Sequence, residues 1–367
     1  MPRITLSGTV RTKQTQKLTG RIRLSSLLKQ SEHEFAVLVR DIENDDLFRK
    51  FMYSGNPAER LLRRTAARNA VYSGGFKSLN EAISGGNVPA DIYRILDGHK
   101  AAAALIKQIG EAKFMKHILY NEDASTVDET ARKCGINTAD IQEINSLLNE
   151  LAVHSEFFNR SAVAPGHGIR YTRIAEIVST GHGSFGIKPL SPYLSRGKYE
   201  IDFRKFEKLR ETGVISGEDL KKARRLFRDI ETVNIRKTSI CRIIESVIEI
   251  QSGYLLSGDP LDMTPFTQKE LAKKLSLDES TVCRAIYGKS ISTPHDREEP
   301  LKYFFPSKKD IRKTIIRDMV SSEEVSLTDM AIKKKLRELY GIEISRRSVT
   351  ECRKELNIPA ASSRKAV

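Results

Sequence analysis

A chain of 367 residues, of which 39% are hydrophobic and 30% charged, is long enough for two or three globular units and too apolar for a disordered polyelectrolyte. Its formal net charge is +15, and residues 301–367 hold 16 Lys and Arg against 9 Asp and Glu, which favours a polyphosphate partner. Apolar runs are far shorter than the roughly 18 residues of a membrane span, and no hydrophobic signal segment opens the chain. We therefore expect a cytoplasmic protein with no membrane partner.

The first predicted elements are two short amphipathic helices within residues 14–52, broken near Gln30 and Ser31. Their apolar residues at near-helical spacing are Leu24, Leu27, Leu28, Phe35, Leu38, Val39, Ile42 and Leu47. One interpretation is a helical hairpin that packs on the body of the protein. Residues 53–90, which contain several Gly and Pro turns together with Arg60, Arg63, Arg64 and Arg68, predict a loop-rich linker.

Residues 91–235 predict a mainly helical domain with one β insertion. Apolar stripes run through residues 92–118 and 141–151, and short β-branched pieces at 174–178 and 185–187 flank a glycine-rich turn, which predicts a small hairpin. Another helical run begins at Ser216, and a long helix follows it to Gly253. The predicted fold class is therefore mainly α, a multidomain helical protein with helix-turn-helix units and a small β-hairpin insertion.

Residues 268–285 have the spacing of a helix-turn-helix. This motif requires apolar residues at its positions four, eight, ten, fifteen and eighteen and a small residue at position five, where the helices cross closely. The chain supplies Leu271, Leu275, Leu277, Val282, Ala285 and, at the crossing, Ala272. The outward residues of the second helix, which we expect to face DNA, are Glu279, Ser280, Thr281, Arg284 and Lys289.

A basic helix near the C-terminus is the second candidate for DNA binding. Ser345 is placed to cap it, Val349, Cys352 and Leu356 share one face, and Asn357 precedes Ile358-Pro359 at its end. Arginines in a first helical turn can form bidentate hydrogen bonds with guanine O6 and N7. The alternative is an ordinary solvated helix that begins with an Arg pair.

No segment has the residue pattern of a catalytic or cofactor site. The glycine-rich residues 181–186 lack the Lys-Ser/Thr of a phosphate-binding loop, and four widely separated cysteines lack the spacing of a zinc site. No acidic cluster or nucleophile setting favours catalysis. The sequence thus predicts a protein that is not an enzyme, with reduced cysteines, no metal, no cofactor and no small-molecule substrate.

Three segments resemble the sigma-54 (sigma-N) family of bacterial transcription factors. Residues 345–349, Ser-Arg-Arg-Ser-Val, followed by Leu356 and Ile358-Pro359, are similar to the family's C-terminal signature box. Residues 279–284 resemble its recognition helix, and residues 301–305 reproduce its Leu-Lys-Tyr-Phe-Phe segment. Residues 24–35 and 43–47 follow its N-terminal regulatory region more loosely.

The chain departs from the family pattern at several places. Glu351 and Cys352 stand where the family usually has Lys and Tyr, and residues 295–300 replace an Arg-Gly turn. The first fifty residues contain only Gln14, Gln16 and Gln30, although the family segment is glutamine-rich, and the linker is not acidic.

The resemblance implies a domain order and a set of partners. It implies an activator-responsive regulatory region at 1–52, a linker at 53–90, a domain that binds core RNA polymerase at 91–235, a helix-turn-helix DNA-binding domain at 236–305, and a promoter-recognition domain at 306–367 with a signature box at 345–354. The implied partners are core RNA polymerase, promoter DNA with minus-24 and minus-12 elements, and an ATPase enhancer-binding activator.

The resemblance also assigns residues to these partners. The residues implied at the upstream promoter element are Arg346, Arg347, Ser348, Thr350, Arg353 and Lys354. Arg284, with Ser280 and Thr281, would act near the downstream element, and Leu24, Leu27, Leu28 and Phe35 would belong to an activator-responsive surface.

Two other functions stay open. The first is a helix-turn-helix transcriptional regulator that does not bind polymerase, and the second is a sigma factor that has lost its dependence on the activator.

Overall fold

In the computed structural model, the described residues are 26–65, 90–119, 121, 125–154, 163, 169–181, 183–213, 215, 217–322 and 327–364. The fold is mainly helical, as predicted. Its helices are α1 Glu32–Asn44, α2 Asp46–Tyr53, α3 Ala90–Gly98, α4 Lys100–Ile109, α5 Glu111–Lys113, α6 Val127–Cys134, α7 Thr138–His154, α8 Pro192–Ser195, α9 Phe203–Glu211, α10 Gly217–Ile250, α11 Ser252–Ser257, α12 Gln268–Leu275, α13 Glu279–Ile286, α14 Lys308–Ser321, α15 Asp329–Tyr340, α16 Arg346–Glu355 and α17 Ala361–Arg364. Helix α5 continues into a π-helical segment, Phe114–Leu119, and short 3-10 helices span Pro260–Asp262 and Leu301–Phe304.

Two small sheets accompany the helices. Their strands are β1 Leu62–Thr65, β2 Thr172–Gly181, β3 Ser184–Pro189, β4 Lys198–Ile201, β5 Lys289–Ser292 and β6 Glu298–Pro300. Strands β1 and β4 pair antiparallel, and the second sheet has the order β3-β2-β5-β6. The predicted hairpin is β2–β3. It is extended by parallel pairing of β2 with β5, the strand that follows α13.

The chain divides into two compact units that do not follow the predicted domain boundaries. Unit one contains residues 1–245 and 280–300, and unit two contains residues 246–279 and 301–367. The boundary implied at 235/236 lies inside the continuous helix α10. Part of the predicted linker forms β1, which pairs with β4 from Leu62 opposite Ile201 to Thr65 opposite Lys198.

Two apolar cores lie among the described residues of unit one. One contains the buried faces of α1, α2 and α10, including Phe35, Phe51 and Phe227. The other contains Ile92, Ile106 and further residues of α3, α4 and α7. No helix among the described residues is long and apolar enough to cross a lipid bilayer.

A buried charge cluster lies within unit one. Glu43 pairs with Arg64 from the predicted linker and lies 3.6 Å from Arg196, and Tyr199 donates a hydrogen bond to the Glu43 carboxylate. Burial raises the pKa of Glu43, but Arg64 and Arg196 outweigh this effect and lower the pKa to about 2. Arg64 therefore stabilises the fold of this segment.

Unit two is organised around a buried amide and a small three-helix core. Gln251, which is fully buried, donates from Nε2 to the carbonyls of Thr264 (2.9 Å) and Phe304 (3.0 Å) and accepts from the backbone N–H of Thr264 at 2.9 Å. Farther along the chain, α14, α15 and α16 pack together. Their buried residues include Ile316, Ile332, Leu336, Val349 and Cys352.

Candidate nucleic-acid interface

Helix α16 begins and ends as the sequence predicts. The Ser345 side chain accepts a hydrogen bond from the backbone N–H of Ser348 at 3.1 Å, which satisfies one of the free donors of the first turn. Val349 and Cys352 are 0% and 3% exposed and lie on the face of the helix that packs on α14 and α15. The chain leaves the helix through Asn357, whose φ of 55° lies in the left-handed region that Asn tolerates.

A carboxylate at the start of α15 fixes the inner side of α16. Asp329 accepts hydrogen bonds from Thr350 Oγ1 (2.6 Å) and Arg353 Nε (2.9 Å). Arg353 also donates to the carbonyl of Ile358 at 2.6 Å and is 7% exposed. This burial corrects the prediction that Arg353 contacts DNA phosphates. Its guanidinium instead links α16 to Asp329 of α15 and to the chain just beyond the end of α16. Thr350 is bound to the same carboxylate and is half-buried.

The outer side of α16 presents three cations. Arg346, Arg347 and Lys354 are exposed, and the side chain of Arg347 is 89% exposed. Arg347 Nε donates to Glu351 Oε1 at 3.1 Å, one turn along the helix. Ser348 is half-buried, with its hydroxyl 3.0 Å from that of the capping Ser345. Arg346, Arg347 and Lys354 are therefore the cations of this helix that are open to a large anionic partner.

The acidic residues of α16 are both paired. Glu355 lies 2.6 Å from Lys309 and 2.5 Å from Lys313 of α14, and hydrogen bonds from these lysines lower the pKa of Glu355 to about 2. Glu351 pairs with Arg347. Within the described part of the chain, Arg346 and Lys354 form no ion pair, so the exposed face keeps a positive charge.

The second candidate comprises α12, a three-residue turn and α13. Thr267 caps α12 together with Glu270, and Ser276 ends it with φ 56°. All but one of the predicted packing residues are buried. The buried ones are Leu271, Ala272, Leu275, Val282 and Ala285. Leu277, in the turn, is half-buried.

The outer residues of α13 are small and polar around one cation. Glu279 and Ser280 are exposed, and Thr281 and Arg284 are half-buried. Arg284 donates to Ser280 Oγ at 3.2 Å, so the guanidinium lies along the helix surface. These four residues keep the outward position that the sequence predicts.

Lys289 does not share that surface. It is 2% exposed and lies 4.0 Å from Glu32 of α1, which also pairs at 2.7 Å with the fully buried Arg236 of α10. Burial lowers the pKa of Lys289 to about 8, although Glu32 opposes this shift. The predicted DNA contact of Lys289 is therefore corrected to a buried ion pair.

The comparison with protein families finds a similarity in the second half of the chain. The family model described as "Sigma-54, DNA binding domain" matches residues 215–366, which include α12, α13 and α16. This part of the chain is therefore similar to the DNA-binding domain of the sigma-54 family. Among curated relatives, the RNA polymerase sigma-54 factor of Bacillus subtilis is 39% identical over 142 residues, covering 35% of this chain and 32% of the relative. That of Pseudomonas putida is 30% identical over 148 residues, covering 37% and 29%.

The matched part of the chain thus spans about a third of the length of these curated relatives. A crystal structure of Aquifex aeolicus sigmaN bound to promoter DNA covers 72% of this chain and 98% of that one. Its TM-score of 0.36 at 17% identity is too weak a likeness for a comparison of the two structures.

Three of the four N-terminal residues that the resemblance assigned to an activator-responsive surface are buried. Leu27, Leu28 and Phe35 are 6%, 0% and 2% exposed, and the Phe35 ring lies 4.2 Å below the guanidinium carbon of Arg236. Because they are buried, these three residues stabilise unit one and cannot present an activator-responsive surface in this state. Leu24 lies outside the described residues.

Three residues at this interface escaped the sequence analysis. Asp329 and Glu32 are the carboxylates that withdraw Arg353 and Lys289 from the surface, and Arg236 joins Glu32 to the core. Asp329 follows Thr328 at the start of α15. This local pattern predicts a helix N-cap but not the contact of Asp329 with Arg353. The partner of Glu32 is 204 residues away, and no local pattern could identify it.

Proposed function

We propose that the chain is a sigma-54-type transcription initiation factor, which binds core RNA polymerase and directs it to promoters with minus-24 and minus-12 elements. The observation that carries the proposal is the outer side of α16. There, the highly exposed Arg347 lies beside Arg346 in the first turn of a capped helix, inside the part of the chain that matches sigma-54 DNA-binding domains.

Arg346 and Arg347 read the guanines of the upstream element in this proposal. Arginine is suited to this role because its planar fork donates to both O6 and N7 of guanine. Lys354 contacts a phosphate, and Ser348 and Thr350 orient the helix through Ser345 and Asp329. Arg353 positions α16 from inside the fold.

Helix α13 acts near the downstream element. Ser280, Thr281 and Arg284 offer hydroxyl and guanidinium donors, and Glu279 at the helix start can accept from cytosine N4. With one cation among four outward residues, α13 contributes less to phosphate binding than α16 does.

The partners follow from the family resemblance. Unit one supplies the surface for core polymerase, and formation of the open complex depends on an activator that hydrolyses ATP. The sigma-54 chain itself performs no catalytic step.

Reconstitution tests the proposal. The purified chain, bacterial core RNA polymerase and a duplex with minus-24 and minus-12 elements are mixed, and co-elution and a DNA footprint are measured. We expect a ternary complex protected at both elements, which opens only when the activator and ATP are added. A footprint without polymerase co-elution would instead indicate a simple transcriptional regulator. Opening without the activator would indicate a sigma factor that has lost activator dependence.

A further inference from the structure

Helix α10 carries an unusual group of cations on its second and third turns. Residues 221–228 contain five basic residues and no acidic one, and all five are exposed. Between them, Ala223, Leu226 and Phe227 are 0%, 7% and 4% exposed and face the core. At about 100° per residue, four of the cations lie directly opposite that buried face, along roughly 10 Å of helix. We call these four the basic stripe: Lys221, Arg224, Arg225 and Arg228.

The four residues of the basic stripe form no ion pair within the described part of the chain. Among the residues that the structure describes, their one recorded side-chain hydrogen bond is from Arg228 Nε to the carbonyl of Arg224 at 3.2 Å. Glu218, Asp229 and Glu231 lie one turn from members of the stripe but form no ion pair with them among the described residues. On two other exposed helix surfaces, opposite charges one turn apart do pair, as in Lys334–Glu338 and Arg347–Glu351.

The spacing within the stripe is unfavourable for an isolated helix. Lys221 is three and four residues from Arg224 and Arg225, and both arginines are three or four residues from Arg228. Like charges at these spacings destabilise a helix, whereas alternating charges stabilise it. On a face exposed only to solvent, this arrangement lowers the stability of the helix without compensation. On a face that binds a polyanion, the attraction to phosphates offsets the repulsion between the cations.

We propose that the basic stripe binds the phosphate backbone of promoter DNA and forms a sequence-independent contact separate from the base-reading side of α16. The inference rests on the proposed function, because it assumes that this chain engages DNA. Three of the four cations are arginines, whose fork binds phosphate through two hydrogen bonds. Residues 221–228 expose no apolar side chain, whereas the centre of a protein–protein interface is enriched in aromatic and other apolar residues.

Salt-dependent DNA binding tests the stripe. The full chain carrying Arg225→Gln and Arg228→Gln is compared with wild type on a matched and a scrambled promoter duplex, by fluorescence anisotropy over a series of salt concentrations. Gln keeps helix propensity close to that of Arg, and circular dichroism checks that helix content is unchanged. Each lost phosphate contact lowers the slope of log K against log salt by about 0.9, so we expect a decrease of about 2 and an equal affinity loss on both duplexes.

A matched control removes the same charge elsewhere in unit one. Arg94 and Lys107 are exposed cations on α3 and α4, and the variant Arg94→Gln with Lys107→Gln should keep the wild-type slope. An unchanged slope in the stripe variant would overturn the proposal in favour of a solvated face. An unchanged slope with lost co-elution of core polymerase would overturn it in favour of a protein contact.

The same titrations separate this inference from the proposed function. Wild-type protein that bound both duplexes equally would contradict promoter reading by α16, while the slope of the stripe variant would still measure the phosphate contact.

Discussion

Helices α13 and α16 each follow a short connection from the preceding helix, but their exposed side chains differ in charge. The outer side of α16 carries Arg346, Arg347 and Lys354, whereas α13 exposes Glu279 and Ser280 around the half-buried Arg284. Two arginines in one turn can each form bidentate hydrogen bonds with a guanine, whereas Ser and Thr hydroxyls form single hydrogen bonds that discriminate less between bases. We therefore propose that α16 contributes most of the sequence discrimination.

The two helices share one device, a neighbouring cation that is withdrawn from the surface. Lys289, which follows α13, lies in the buried group of Glu32 and Arg236, and Arg353 of α16 lies on Asp329. In both cases a largely buried carboxylate on another helix, Glu32 or Asp329, holds the structural cation, whereas among the described residues Arg347 pairs only with the exposed Glu351 of its own helix. Substitutions of these carboxylates and of the exposed cations can break or sharpen this distinction.

The largest effect is expected behind α13. Glu32→Ala leaves Arg236 and Lys289 buried without an anion, and such a loss destabilises a protein by about 3–5 kcal/mol. Urea unfolding measures the free energy of unfolding. The control is Asp41→Ala on the same helix, whose ion pair with Arg40 is more exposed and which should change stability by less than about 1 kcal/mol. Equal effects in the two variants would mean that the buried group contributes little.

A smaller loss is expected behind α16. Asp329→Ala removes the hydrogen bonds of Thr350 and Arg353 and should cost about 2 kcal/mol in thermal or urea unfolding. Burial raises the pKa of Asp329, but those hydrogen bonds outweigh it and lower the pKa overall. The stabilisation is therefore complete above the unfolded pKa of about 4 and is lost as pH falls through the folded value. As the pH falls below about 5, the free energy of unfolding should therefore decrease less for the variant than for wild type. The same decrease in both proteins would contradict this role of Asp329.

How much of this could be read from the sequence depends on the distance between partners. The buried positions Leu271, Leu275 and Val282 were predictable because helix-turn-helix spacing is local. The capping role of Ser345 was predictable for the same reason. The outward position of Arg347 followed from helical geometry alone.

The errors arose where the partner is distant in the chain. Lys289 and Arg353 were predicted at the surface because no local residue indicates Glu32 or Asp329 as a partner. The parallel pairing of β2 with β5 joins Thr172 to Lys289 and was likewise invisible to local patterns. Local patterns therefore indicate the candidate DNA-binding helices but not every side chain on their exposed faces.

Substitution of Arg347 and of Arg284 tests whether α16, and not α13, reads the upstream guanines. Arg347→Ala should cost about 1–3 kcal/mol on a promoter with upstream guanines and relax the preference for them, because a bidentate contact is lost. Arg284→Ala in α13 should leave that preference intact. Both are measured by titration of matched and guanine-substituted duplexes. Equal losses on the two duplexes for Arg347→Ala would contradict base reading.

A weaker and uniform effect is expected from Lys354. Its exposed ammonium forms no ion pair within the described residues, so Lys354→Ala should lower affinity for matched and scrambled duplexes alike. The slope of log K against log salt should decrease by about 0.9. A loss confined to the matched duplex would instead place Lys354 at a base edge.

The smallest effect is expected from Glu351, where the family usually has Lys. Its carboxylate holds Arg347 at 3.1 Å, and both side chains are largely exposed, so their pair contributes little to stability. Glu351→Gln removes a charge that repels phosphates and frees the Arg347 guanidinium for guanine. Affinity for the matched duplex should therefore rise, by about 0.5 kcal/mol, without a measurable loss of stability. The double variant with Arg347→Ala distinguishes the two causes. If the gain persists without Arg347, it comes from reduced repulsion, and if it disappears, Glu351 restrains the base-reading arginine of α16.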